Sequence, residues 1–305
     1  MESRHESVLM NEVLEALDVQ PSDTVVDATL GGAGHFAALL AALGEGGVIV
    51  GIDADLAAVE RGREAYAFDR RTERPVAHLV NDNFRNLARI LERLGIGTVD
   101  KILFDLGWSG YQIAAPRGFS FERDEPLLMT YGEGPSTALG VNETAAAIVN
   151  SSSEIALADI IFTYGEERFA RKIAHAIVTA RAKERILTTG ALVTAILEGT
   201  PARYHKQKIH PATKTFQALR IAVNDEIGAL REGLSAALDA LASGGRLAII
   251  SFHSIEDRIV KNMLRDTVDG GLGTLSSKKP IVPSRAEVLH NRRARGAKLR
   301  VFQYA

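Results

Sequence analysis

Residues 25–36, VVDATLGGAGHF, carry an apolar run into an acid, Asp27, and then break into a glycine-rich turn before a new hydrophobic stretch begins. Strand, turn and helix start in that order allow backbone to approach a ligand closely, with free helix N–H groups pointing at it. The rhythm repeats outward from this point. TVVDATL (24–30), GVIVGID (47–53), PVAHLV (75–80) and KILFDLG (101–107) are β-rich runs. Helix candidates separate them at 34–43, 55–67 and 84–94, and in the last Phe84, Leu87, Leu91 and Leu94 fall on one face. Strands alternating with helices predict an α/β fold with a mostly parallel sheet covered on both sides.

The rhythm stops after 107. From 108 to about 137 the chain is rich in Gly, Pro, Ser and Arg without a sustained period, which reads as a long surface loop. Helical stretches follow at roughly 153–163, 166–185 and after Thr189, with no strand-like run between them. One long amphipathic helix is expected from Pro211 to Leu241, because Phe216, Leu219, Val223, Ile227, Leu230, Leu234 and Leu238 keep a three-or-four spacing. RLAIISFHS then resumes the strand pattern, SIEDRIVKNMLRD is a helix and AKLRVFQY a closing strand. The expected organisation is a split α/β domain, 1–110 and 206–305, interrupted by a helical insertion over 111–205.

The 305 residues are 46% hydrophobic and 24% charged, the composition of a folded globular chain with room for a large core. A net charge of −2 excludes a protein that coats nucleic acid with its whole surface, but two runs are locally basic. Arg203 to Arg220 holds five Lys or Arg and no acid, and Lys278 to Arg300 holds eight against Glu287 alone. The absence of cysteine excludes a disulfide framework, a thiolate metal site and a cysteine nucleophile, and the scattered histidines suggest no metal site. The first residues, MESRHESVLMNEVLEAL, are charged and amphipathic rather than leader-like. No apolar run approaches the roughly 18 residues of a membrane span. A cytoplasmic address with no membrane partner is the simplest expectation.

Two nucleotide cofactors compete for the first turn. A dinucleotide would require G-x-G-x-x-G to seat its pyrophosphate. The glycines here are Gly31, Gly32 and Gly34, and the sixth-position glycine is missing. S-adenosylmethionine requires no phosphate cradle, but its ammonium and sulfonium call for an anion, and Asp27 stands four residues before Gly31. Asp53, ending GVIVGID, has the position of a ribose ligand, a feature shared with nicotinamide oxidoreductases. In NDNF, Asp82 or Asn83 would meet an adenine amine and Phe84 would cover its ring. Asp105 ends the fourth strand, where open α/β sheets bring ligands to their reaction partners. Each residue also has an ordinary reading: a strand-end Asp caps the next helix, Phe84 is core, and His35 merely begins a helix. Their joint order favours methyl transfer, with a nicotinamide oxidoreductase as the alternative.

The longer motifs HESVLMNEVLEAL, DATLGGAGH, GIDAD, NFRNL, DLGWSGYQI, RGFSF, YGEERFARKIAHAIV, HPATKTFQALRIAVNDE, ISFHSIEDRIVK and ARGAKLR resemble the bacterial small-subunit (16S) ribosomal RNA cytosine-N4 methyltransferase family nearly end to end. The resemblance implies a Rossmann-like class I methyltransferase domain with a helical insertion, S-adenosylmethionine as donor and a cytidine of the decoding region as acceptor. The partner implied is small-subunit ribosomal RNA or the assembled small subunit, and the oligomeric state, monomer or homodimer, stays open. Matched motif by motif, the family's cofactor residues fall on Ala33, Gly34, His35, Asp53, Phe84, Asp105 and Gln112, beside Asp27 and Gly31 from the strand-end reading. Gln112 rests on the resemblance alone.

The chain departs from its relatives around the acceptor. Trp108, Gly110 and Tyr111 stand where the family has Val, Ser and Pro, Leu128 and Thr130 replace an acid and an arginine, and Gly32-Ala33 replaces Arg-Gly. Cytosine N4 is a weak nucleophile because its lone pair is delocalised into the ring, so an acceptor for its proton is needed. Asp105 is the expected catalytic acid-base group, and Trp108, three residues on, is expected to stack on an extruded base. His253 is a more distant candidate near the same sheet edge. Arg203, Lys206, Lys208 and Lys214, with Arg292, Arg293 and Arg295 and then Lys298 and Arg300, are expected to track RNA phosphates. A ribosome-assembly factor that kept the fold and lost turnover is the alternative. Intact Asp27, Asp53 and Asp105 argue against it.

Overall fold

The computed structural model describes residues 7–66, 75–107, 111–112, 115–131 and 144–305. In chain order the elements are α1 (Met10–Leu17), β1 (Thr24–Asp27), α2 (Gly34–Ala42), β2 (Val48–Asp53), α3 (Leu56–Ala65), β3 (Val76–Asn81), α4 (Leu87–Leu94) and β4 (Val99–Asp105). Then come α5 (Ala145–Ser151), α6 (Glu154–Gly165), α7 (Ala170–Arg181), α8 (Thr189–Glu198), α9 (Thr213–Asn224) and α10 (Glu226–Ala240). The chain closes with β5 (Leu241–Ser251), α11 (Ser254–Asp269), β6 (Gly273–Leu275), α12 (Arg285–His290) and β7 (Lys298–Tyr304). It divides into two compact units, residues 1–110 with 227–305, and residues 111–226.

The first unit is built on a seven-stranded sheet of order β3-β2-β1-β4-β5-β7-β6. Strands β1 to β5 pair in parallel, and β7 runs antiparallel to both β5 and β6. One reversed strand set next to the edge of an otherwise parallel sheet, with the order turning at β1 and β4, is the class I methyltransferase arrangement of the Rossmann-like fold. Strand alternation sorts the apolar residues between two cores. Val26, Val50, Ile102, Phe104, Leu247 and Ile249 face α4, α10 and α11, where Leu87, Leu234 and Ile259 meet them. Val25, Ile49, Leu103, Ala248 and Ile250 face α1, α2 and α3, meeting Leu17, Phe36 and Val59. Both faces are covered, which is why the strands read as apolar runs rather than as half-polar alternation.

The second unit is helical among its described residues. Thr144, Ser153 and Thr188 start α5, α6 and α8 by accepting from the N–H three residues on, each side-chain oxygen satisfying a donor the helix itself cannot. Residues 115–131 form no regular element, yet they are not the loose surface loop expected from their composition. Leu127 N–H donates to Leu187, Thr189 N–H to Glu125 and Met129 N–H to Arg117, and Phe119, Leu127 and Met129 are buried. Gly and Pro made this stretch look unstructured, but its backbone pairs with residues 187–189.

The expected single helix from Pro211 to Leu241 is two helices. Asp225 adopts left-handed φ 45° and separates α9 from α10. Asp tolerates that conformation better than most residues, and its neighbours use the break. The Asn224 side chain accepts from Tyr131 N–H and donates to the Met129 carbonyl, while Glu226 accepts from the Tyr131 hydroxyl and from Arg220. The apolar period runs undisturbed through the break, so periodicity could not reveal it. The break also moves the expected boundary. α9 packs on α6 within the second unit, and the chain returns to the first unit at Ile227 rather than at 206.

Candidate active site

The acids singled out in the sequence stand at the C-terminal ends of neighbouring strands: Asp53 on β2, Asp27 on β1 and Asp105 on β4. Asp27 is almost fully buried, at 1% exposure. Its Oδ1 accepts from Thr29 N–H at 3.1 Å, and its Oδ2 is buried without a hydrogen-bond partner. Burial pushes its carboxyl up to about 6; His35 pulls the other way, and the fields of Asp105 and Asp53 add to the rise. A buried oxygen left in this state is costly to the protein alone, and an arriving cation relieves that cost.

Asp53 is held differently. Its Oδ2 accepts from Gly31 N–H at 2.7 Å and its Oδ1 from Asp55 N–H at 2.8 Å, and burial still pushes it up to about 6 against these two bonds. Each carboxylate oxygen keeps a second lone pair, so two hydroxyl donors can still be accepted. The bond from Gly31 also ties the glycine turn to the end of β2. Gly31 lies at φ 52° and Ala33 at φ 60°, so the turn contains a non-glycine residue in the left-handed region immediately before α2. Gly34 has a separate reason to lack a side chain: a Cβ there would fall on the Ser7 hydroxyl.

His35, on the first turn of α2, is buried between two partners. Its Nε2 lies 3.1 Å from the Val8 carbonyl and its Nδ1 3.4 Å from Asp105 Oδ2. Burial disfavours the imidazolium, but the contact with Asp105 and the charges of Asp105 and Asp27 outweigh it, so its ionisation is raised. Asp105 donates its backbone N–H to Thr29 Oγ1 at 2.7 Å, and its Oδ1 is buried without a hydrogen-bond partner. The edge therefore presents two carboxylate oxygens with unused acceptor capacity, one on Asp27 and one on Asp105.

Other candidates occupy more ordinary positions. Phe84 opens a 3-10 turn over Phe84–Asn86, with its ring edge-to-face on Phe104 at 5.4 Å, so it is partly core. Asp82 Oδ1 accepts from Asn83 N–H and from the Asn86 amide, and Asn83 Oδ1 from Arg85 N–H, so both side chains brace that turn. His253 is the N-cap of α11, in a capping box with Glu256. Gln112 is buried and belongs to the second unit. Trp108 lies outside the described residues.

Arg203, Lys206 and Lys208 are exposed in the second unit, as are Arg292, Arg293 and Arg295 on a 3-10 turn of the first. Lys214 donates to the Glu166 carbonyl at 2.8 Å, closing the C-terminal end of α6. Two of the expected phosphate contacts are corrected: Lys298 and Arg300 each bind a separate oxygen of Asp257, at 2.7 and 2.8 Å, and Arg300 is buried.

Sequence reasoning passed over three contributors. Thr29 bonds to both Asp27 and Asp105. Val8 fixes the imidazole of His35. Glu287 accepts from Leu9 N–H at 2.8 Å, across 278 residues of sequence, and so holds the Val8 segment in place. A hydroxyl two residues after a strand-end acid was the available signal for Thr29. Nothing local pointed to Glu287. Among the described residues no helix is long and apolar enough to cross a membrane.

A family model described as the MraW methylase family matches residues 2–305. The chain is 46% identical over 302 residues to ribosomal RNA small subunit methyltransferase H of Deinococcus radiodurans, covering 99% of this chain and 90% of that protein. It is 46% identical over 302 residues to the protein of the same name from Deinococcus deserti, covering 98% of this chain and 93% of that protein. It is also 42% identical over 317 residues to the one from Brevibacillus brevis, covering 98% and 97%.

Proposed function

The chain belongs to the MraW methylase family, and on that premise we propose that it transfers a methyl group from S-adenosylmethionine to N4 of a cytidine in the decoding region of small-subunit ribosomal RNA. The observation that carries this reading is the pair of unpartnered carboxylate oxygens, on Asp27 and Asp105, at the ends of adjacent strands. S-adenosylmethionine, when bound, supplies a methyl group on a positively charged sulfur that a nitrogen lone pair can attack.

Asp27 suits the ammonium of the donor, since one of its buried oxygens has no hydrogen-bond partner. Asp53 suits the ribose hydroxyls through the lone pairs its two backbone bonds leave over. Gly31, Ala33 and Gly34 line the turn with little or no side chain, Phe84 completes the set, and Gln112 and the backbone of His35 are assigned to the cofactor by family likeness alone. Asp105 Oδ1 accepts a hydrogen bond from N4–H of the base and takes the proton as charge develops, which turns a weak amine nucleophile into a competent one. Trp108, three residues after Asp105 in the sequence, is assigned to stack on the base. Arg203, Lys206, Lys208, Arg292, Arg293 and Arg295 supply the charge for RNA phosphates; Lys214 contributes there less, being tied to a helix end.

Mass spectrometry of small-subunit RNA from cells with and without this protein tests donor, base and site together. One N4-methylcytidine should disappear from the decoding region in the cells that lack it and return on complementation. An unchanged methylation map, or a missing methyl group on another atom, would overturn the reading.

A further inference from the structure

His35 was matched to the family as a cofactor residue, yet its side chain faces the reaction partner of the base. The Val8 carbonyl can only accept, so the contact at Nε2 requires a proton on Nε2. A neutral ring would then point the Nδ1 lone pair at Asp105 Oδ2, two acceptors 3.4 Å apart. That contact is favourable only when one proton lies between Nδ1 and Oδ2. Asp105 is thereby fixed twice, by Thr29 at its backbone and by His35 at one oxygen, leaving Oδ1 as the oxygen with free lone pairs.

We propose that His35 is a positioning residue for methyl transfer, which by sharing a proton with Asp105 Oδ2 locks the carboxylate so that Oδ1 receives the proton of the cytosine amine. The proposal rests on the N4-methylation reading above. In the transfer the N4 lone pair forms the new N–C bond, the C–S bond breaks with its electrons on sulfur, and one N4–H bond breaks. Its proton goes to Oδ1, so Asp105 becomes the neutral acid beside a protonated His35. The surplus proton then leaves to solvent with the products.

The groups that face His35 are Asp105 from the end of β4, Asp27 from the end of β1, with Asp53 behind it, and the Val8 carbonyl from the segment before α1. Both nearer acids favour the imidazolium, and burial opposes it. Loss of the shared proton at high pH releases Oδ2, so turnover falls on an alkaline limb that belongs to His35.

Three proteins decide the matter: the full-length chain, His35→Asn, whose amide donates to Asp105 without titrating, and His35→Ala. His35→Ala should lower kcat by about 30-fold, less than the roughly 10²–10⁴-fold supplied by a group that itself transfers the proton, with the KM for S-adenosylmethionine changed less than about 3-fold. His35→Asn should recover most of the rate and lose the alkaline limb. A limb that persists in His35→Asn, or a loss confined to KM, would overturn the role. A second measurement needs no activity: in ligand-free protein, NMR titration of His35 should show a lower pKa in Asp105→Asn than in the parent. An unchanged titration would sink the inference whatever the enzyme does. Intact coupling in a protein that leaves cytidine N4 unmethylated would instead fault the proposed function.

Discussion

Two buried carboxylates in the first unit meet opposite fates. Asp257, on α11, has Arg300 Nε on one oxygen and Lys298 Nζ on the other, and these two bonds overcome burial to hold it below the ordinary carboxylate range. Asp27, at the end of β1, has one backbone N–H, an unpartnered oxygen and a carboxyl pushed up to about 6. Asp257 has two permanent cations bonded to its oxygens, whereas Asp27 has only the field of a titratable neighbour, His35. A paired acid of the first kind stabilises the fold. An acid of the second kind costs the protein stability, a cost that a cation placed beside it would remove.

The contrast can be broken at four points. Asp105→Asn removes the proton acceptor and should lower turnover about 10³-fold, or about 4 kcal/mol, read as methyl incorporation in a single turnover, with the protein still folded. Asp257→Asn leaves Arg300 buried without its counter-charge and should cost about 3 kcal/mol in urea denaturation, with cofactor affinity unchanged. The sign with pH follows from its lowered ionisation. Its stabilisation is present above the unfolded carboxylate value of about 3.9 and is lost as pH falls through the lower folded value, so the substitution should flatten that part of the acid limb.

Asp27→Asn should act in the reverse sense. A folded carboxyl near 6 favours the folded state below the unfolded value, and that contribution disappears as pH rises through 6. The ligand-free variant should therefore be more stable than the parent at pH 8, by about 2 kcal/mol, and should bind S-adenosylmethionine more weakly. The parent should also release protons on binding the cofactor near pH 6, seen in calorimetry as a dependence on buffer ionisation enthalpy. If Asp27→Asn is destabilised at pH 8, the contrast with Asp257 fails. Ala33→Gly gives the smallest effect: relief of about 1 kcal/mol of left-handed strain, partly offset by a freer unfolded chain, raises Tm by about 1 °C. It separates backbone strain from charge as a cost of the acidic edge.

The alternating rhythm of β-rich runs and helices was enough to read the parallel sheet, because strands buried on both faces leave continuous apolar segments such as VIVGID and KILFD. The positions of Asp27, Asp53 and Asp105 were legible for the same reason, each marking the point where an apolar run reaches the C-terminal edge of the sheet. Periodicity concealed the break at Asp225, since a single left-handed residue leaves the apolar spacing on either side intact. Composition misrepresented residues 115–131, where Gly and Pro permit turns without saying whether the turns are packed. Lys298 and Arg300 looked like part of an RNA-binding run because charge along a sequence does not reveal the acid facing it across the fold. His35 was placed correctly at the head of a helix, but its partners, Val8 and Asp105, lie on opposite sides of it in sequence.

The bond from Leu9 N–H to Glu287 also sets an order of events during synthesis. Leu9, next to the carbonyl that steadies His35, is made 278 residues before the side chain that anchors it. Until Glu287 has been added and has folded back, the segment that carries Val8 lacks this anchor.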